Sequence, residues 1–546
     1  MFAGRKMVYA IGVVIAAFFS TTSAAAHTMI TVPELDASKS NIVFQILEHG
    51  KVRSSIISGT TSDGKQRICK ALSDSRCSSL DEFKVQIILP PCSAKSTSSD
   101  FCIRGVQMTG RDGKMVPATF LREVPTPRIA ANATAKIGVG GGISLWKFAP
   151  GKSKDPESEV ATEVSLTYVV TKNKETNKVD LANLMDFKIA IHPVQYKSGK
   201  FAPLDFIVTD GDSDLLGVNP SSGKLDDDSD CHWSEKGLCV TQGHFKEDTH
   251  VSISMQMDNK LQGWLSSQIL DLKIQEKKIS ASTNLLVIGG RASVSSPVYA
   301  IDNITDISKV RELKAAYKRC GDEVVVCPQS YEQYENIIWE GILSDNPKDA
   351  EFNFGLADVV SSGLADIQGV DSQWKVSSMP ESNWRQGISW SPCVSKSRKL
   401  AGVVSTNASL YQINPPEIQN QKLVSKVSGA LKNAQSQINR VDYQVAMRAD
   451  ILRCLLKSNV NPGSVSASAF SKTGERLNYS PAAIAEENGW VNFAAKKFSY
   501  STPNIEFTFS NSPIKVASQT ISCTKGKTTV KVKGVTPKCP KGYSKK

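Results

Sequence analysis

After residue 26 the sequence has no run of about eighteen uncharged apolar residues, which excludes a transmembrane helix from the rest of the chain. Histidine is scarce, at six in 546 residues, and no cysteine pair has the two-to-four-residue gap of a zinc knuckle. A structural zinc site is therefore not expected. There is no Gly-x-Ser-x-Gly elbow, since Gly387-Ile388-Ser389-Trp390-Ser391 ends in serine, so the serine-hydrolase motif is missing. Gly138-Val139-Gly140-Gly141-Gly142 lacks the downstream Lys-Ser/Thr of a phosphate loop and reads as a flexible turn between strands. With 40% apolar and 22% charged residues, and ordinary glycine and proline usage, the chain is neither collagenous nor disordered. Its length allows two to four domains.

What is present begins with a leader. Arg5 and Lys6 precede an apolar run, Met7 to Phe19, and small residues lead to Ala24-Ala25-Ala26. That is the pattern of a cleaved export signal, and the run is too short to span a bilayer. All twelve cysteines lie beyond it, at 69, 77, 92, 102, 231, 239, 320, 327, 393, 454, 523 and 539. An even number in an exported chain implies disulfides. Pairing in chain order is expected: Cys69 with Cys77, Cys92 with Cys102, Cys231 with Cys239, Cys320 with Cys327, Cys393 with Cys454, and Cys523 with Cys539.

The pattern of apolar residues predicts a mainly β chain of antiparallel, sandwich-like domains with a small helical insert. Phe83–Leu89, Val164–Tyr168, Phe187–Ile191 and Val251–Met257 alternate, as do Val441–Met447 and Ile505–Phe509. Around 305 the period changes: Ile307, Val310, Leu313 and Tyr317, then Tyr334, Ile337, Ile338 and Ile342, are spaced for helix. Stretches 353–368 and 417–438 also tolerate helix. The expected division is a leader (1–26), β domains at 27–150 and 151–304, a helical insert at 305–369, a β-sandwich at 370–515 and a tail at 516–546.

The tail carries the charge. Residues 523–546 hold eight lysines (Lys525, Lys527, Lys531, Lys533, Lys538, Lys541, Lys545 and Lys546) and no acid. Removing these and the two leader charges from the net +12 leaves +2 for residues 27–522. A dense local cation marks a polyanion contact, and outside a cell that means a wall polymer, acidic glycan or lipid headgroup, not nucleic acid. The Cys523-Thr524-Lys525-Gly526-Lys527 to Pro537-Lys538-Cys539-Pro540-Lys541-Gly542-Tyr543 stretch resembles secreted cell-surface proteins of actinobacteria whose function is not established. Met447 to Leu455, with Asn488-Gly489-Trp490, shares that resemblance. It implies a Gram-positive envelope setting and brings no catalytic residue with it.

Three further groups are candidate sites. Asp210, Asp212, Asp214, Asp226, Asp228 and Asp230, with Asp205 and Asp227, face a single base, Lys224, and could hold Ca²⁺. The segment is not an EF-hand, because Leu215 stands where glycine is needed and Ser221 where the bidentate acid belongs. Otherwise it is a solvated acidic loop, and no other cofactor is expected. His232, His244 and His250 lie near Cys231 and Cys239 without a known ligand spacing, and His27 would be N-terminal after cleavage. Trp374, Trp384 and Trp390 could offer rings to a sugar, although tryptophan at such positions also builds cores. The expectation is an exported, envelope-associated surface or adhesion-type protein without an evident catalytic motif, retained by its lysine tail. A secreted hydrolase of glycan or peptide and a calcium-dependent carbohydrate-binding protein are the alternatives.

Overall fold

A computed structural model describes residues 42–47, most of 54–201, most of 231–301, 337–342, 366–367, 371–379 and most of 392–545. The leader, the 202–230 acidic loop, the Cys320/Cys327 pair, Trp384 and Trp390 lie outside the described residues.

The chain is mainly β. Its largest sheet has sixteen strands. Along its main path it runs Trp490–Phe498, Val441–Arg448, Leu400–Thr406, Gly263–Ser267, Lys375–Ser378, Asn183–Ser198, Glu159–Thr171, Glu82–Ile88 and Ile56–Thr60. Open twisted sheets rarely exceed about ten strands unless they divide their packing. This one does so by building two cores.

In the first core, Val85, Ile87, Val164, Leu166, Tyr168, Phe187 and Ile189 from the large sheet meet residues of a six-stranded sheet. The facing residues include Ile103, Val106, Val251, Ile253, Met255, Met257 and Ile288. The alternation read at Val251–Met257 thus becomes the His250–Asp258 strand, paired on both sides. In the second core, Val404, Tyr443, Val445, Met447 and Phe493 pack against Leu423, Val427, Ile505 and Phe507 of another six-stranded sheet. These are two sandwiches sharing one sheet. Within the shared sheet Ser144–Lys147 pairs antiparallel with Glu159–Thr171, and Gly263–Ser267 runs parallel to Leu400–Thr406. At that parallel junction a side chain at Gly402 would collide with the Trp264 ring, so only glycine lets the buried indole through.

Two expectations are corrected. Ile337–Ile342, read as helix, is a strand that pairs parallel to Ile42–Leu47. Its IIWEGI sequence is β-branched and aromatic, and so short an apolar run fits either period. Likewise, Glu417–Gln419 and Lys422–Ser428 are strands where helix was tolerated. Conversely, Ala449–Leu456 is a helix that follows directly on the Val441–Arg448 strand. It buries Ala449, Ile451, Leu452 and Leu456 and carries Cys454 to Cys393.

Five disulfides join the described cysteines, each in chain order: 69–77, 92–102, 231–239, 393–454 and 523–539. No helix among the described residues is long and apolar enough to cross a membrane.

Candidate binding sites

The tail forms a three-stranded antiparallel sheet of Gln519–Lys525, Thr528–Gly534 and Ser544–Lys545. Alternation of valine with lysine and threonine in TTVKVKG puts Thr529 opposite Thr524 and Lys531 opposite Ser522, so hydroxyls flank the cation. Cys523 is fully buried and bonded to Cys539, while Lys525 and Lys531 are exposed. Lys533 and Lys545 occupy the strands; Lys527, Lys538, Lys541 and Lys546 lie outside the described residues.

Trp374 is not a sugar platform. Its side chain is fully buried, and the indole Nε1–H donates to the Gly290 carbonyl at 3.1 Å. A ring buried in the first core, between the Asp371–Gln373 and Lys375–Ser378 strands, has no free face to stack. Nor do His232, His244 and His250 assemble into a ligand set; among the described residues no three His, Cys, Asp or Glu side chains can share a metal. His232 instead meets His192 edge to face, with ring centroids 4.7 Å apart, and both are buried. The His250 backbone N–H donates to Thr109 Oγ1.

A charged cluster joins the two sandwiches. Asp271 sits at a bulge of the Ile269–Lys278 strand with a left-handed backbone, φ 53°. Its carboxylate accepts from Lys496 Nζ and from Arg291 Nε at 3.3 Å. Burial alone would raise its pKa, but those two cations outweigh burial and hold it below the ordinary carboxylate range. Asp442, nearby, goes the other way. Burial raises it, against a hydrogen bond from the Lys497 backbone N–H at 2.7 Å. Every one of these groups is committed to another, so the cluster reads as a joint between strands.

A cleft of about 1390 Å³ opens beside the first core. One wall is the Pro90–Phe101 connection, tied by Cys92–Cys102. Another is the Thr119–Glu123 strand, where the register passes from Phe120 opposite Trp146 to Arg122 opposite Leu145. Leu121 is thus an extra residue, and the bulge lets Phe120 and Arg122 both line the cleft. The third wall is the loop from Arg128 to Val139. It is held by the bridges Ile129–Gly140 and Asn132–Ile137, and Asn132 Oδ1 accepts the Ala135 N–H at 2.9 Å.

The glycine segment 138–142, expected as a flexible turn, is therefore a bonded wall. The Gly141 carbonyl accepts from Ser55 Oγ at 2.7 Å, and a side chain at Gly138 would strike the Phe101 ring at 2.8 Å. Arg122 pairs with Glu235 at 2.6 Å and Arg128 with Glu123 at 2.7 Å. Behind Arg122, Glu159 accepts from Tyr196 Oη at 2.7 Å and pairs with Lys147 at 3.0 Å. Burial would raise Glu159, but those two partners and Arg122 bring it below the ordinary range.

Of the cleft residues only Cys92, Cys102, Gly138 and Val139 stood out in the sequence, and none as a ligand contact, because the lining is assembled from separate segments. The one local signal is Phe120-Leu121, two large apolar residues beside Arg122 and Glu123 at the end of a short strand. Compared with known proteins, the chain matches no family model and no curated protein.

Proposed function

We propose that the chain is an exported, envelope-associated surface protein, retained on an anionic polymer by its C-terminal lysine sheet and acting by binding rather than by turnover. The observation that carries this reading is the tail. Its strands pair only with one another among the described residues, its cysteines close on themselves, and Lys525 and Lys531 project into solvent. Five bonded cysteine pairs support an oxidising compartment, which agrees with the export-type leader. The resemblance of the tail to actinobacterial surface proteins supports a Gram-positive wall as the setting.

The field of such a tail decays over about 10 Å at 0.1 M salt. Protein bound to purified walls is therefore expected to come off near 0.5 M salt. A full-length variant with all eight tail lysines changed to glutamine keeps the disulfide loop and is expected to stay in the supernatant at low salt. Sedimentation of that variant with walls would reject charge as the anchor.

A further inference from the structure

We propose that the cleft walled by Phe101, Phe120, Arg122, Arg128 and Lys136 binds an anionic saccharide, its pyranose faces on the rings and its carboxylates or phosphates on the cations.

The size suits an oligomer. Pockets for single small molecules run to roughly 1,000 Å³, and this groove, at about 1390 Å³, is larger and open.

The apolar residues at its rim are the second reason. Among the described residues six large apolar side chains are notably exposed, and two of them, Phe120 and Val139, line this cleft together. Gathered apolar exposure marks an interaction surface, whereas scattered exposure does not. Phe120 is 40% exposed, yet its position is fixed. Its edge meets the Trp146 ring at a centroid distance of 5.6 Å, and the Trp146 indole is itself anchored on Ser144 Oγ at 2.8 Å. A ring held this way meets a sugar face with little entropy left to lose.

The cations select charge. Arg122 and Arg128 each spend part of the guanidinium on one carboxylate and keep further donors in a planar fork suited to carboxylate or phosphate. Lys136 has no ion pair among the described residues and stands on a left-handed backbone, φ 54°, which a non-glycine residue adopts at a cost. The Asn132 turn and the adjoining bridge maintain that conformation. The lining sets these three cations against two carboxylates, Glu123, which is paired with Arg128, and Asp100, which accepts the Thr97 N–H at 2.6 Å, so the surplus positive charge rests on Lys136.

The test uses the full-length chain with its eight tail lysines changed to glutamine, so that the cleft is read without the tail and independently of the anchoring proposal. Calorimetry at 50 mM salt would compare oligogalacturonate, a phosphorylated mannose oligomer and uncharged cellohexaose. Saturable binding of at least one anionic oligomer and not of cellohexaose is expected; which one binds identifies carboxylate or phosphate as the recognised group. Phe120→Ala and Lys136→Gln should each weaken it about tenfold, with melting temperature unchanged. Equal binding of cellohexaose would overturn the charge requirement. No binding of either anionic oligomer, or full binding by both variants, would overturn the site.

Discussion

The side-chain amide of Gln444 makes both of its hydrogen bonds to the backbone of Leu272: the Leu272 N–H donates to Oε1 and Nε2 donates to the Leu272 carbonyl, each at 3.0 Å. Leu272 lies in the bulge where the Ile269–Lys278 strand loses register with its neighbour, so Gln444 supplies the missing ladder partner from the other sheet. Gln444→Leu leaves both backbone groups to find water or go unpaired. We expect a loss of about 2 kcal/mol in urea unfolding. A change within 0.5 kcal/mol would show that solvent already serves Leu272.

The neighbouring carboxylates give the joint a defined pH response. The Asp271 pKa is depressed, so its contribution is complete above the unfolded carboxylate range and is lost as pH falls through its folded value. Asp442 is raised, so its ionised form costs stability near neutral pH, and that cost declines once pH falls below its folded value and is gone below the unfolded carboxylate range. Asp442→Asn should therefore raise the urea midpoint at pH 7 and leave it nearly unchanged at pH 4. Lys496→Met should lower the unfolding free energy at pH 7 by about 1–2 kcal/mol, discounted because the pair is about a third exposed, and flatten the acid limb. Parallel curves for both variants and the parent would refute the assignment.

Among the disulfides, 393–454 spans 61 residues and ties the Ala449–Leu456 helix to the second core. Replacing both cysteines with alanine frees a loop whose closure is worth about 4 kcal/mol. The expected result is a large drop in thermal stability. Removing 523–539, a separation of 16, should leave the melting temperature of both sandwiches unaltered. Equal effects of the two replacements would mean that the tail packs on the body.

Trp374→Phe deletes the donor to the Gly290 carbonyl and shrinks a fully buried side chain. A cost of about 2 kcal/mol is expected, with oligosaccharide binding in the cleft unchanged. Loss of binding at full stability would restore Trp374 as a ligand contact.

Strand content was legible wherever one face of a strand is buried, because period two then shows directly, as in Val251-Ser252-Ile253-Ser254-Met255. The second-core strand Leu400–Thr406 shows no alternation because it is buried on both faces. Ile337–Ile342 was misread because six residues with four isoleucines or tryptophans fit either period, and only the partner strand Ile42–Leu47 decides. The cysteine pairing was readable since partners are neighbours. The cleft was not, since Phe101, Phe120, Arg122, Arg128 and Lys136 acquire meaning only when a bulge and a bonded glycine segment bring them together.

The disulfide order has a consequence for biogenesis. Between the two members of each described pair, including 393 and 454, no other cysteine intervenes. A chain that emerges N-terminus first therefore offers each thiol its native partner before any later competitor exists, and oxidation in order of emergence yields the native set without reshuffling. Denatured, reduced protein lacks that timing, with all twelve thiols presented at once. Refolding from denaturant should depend on a disulfide isomerase or a glutathione buffer, whereas oxidation during vectorial release should not.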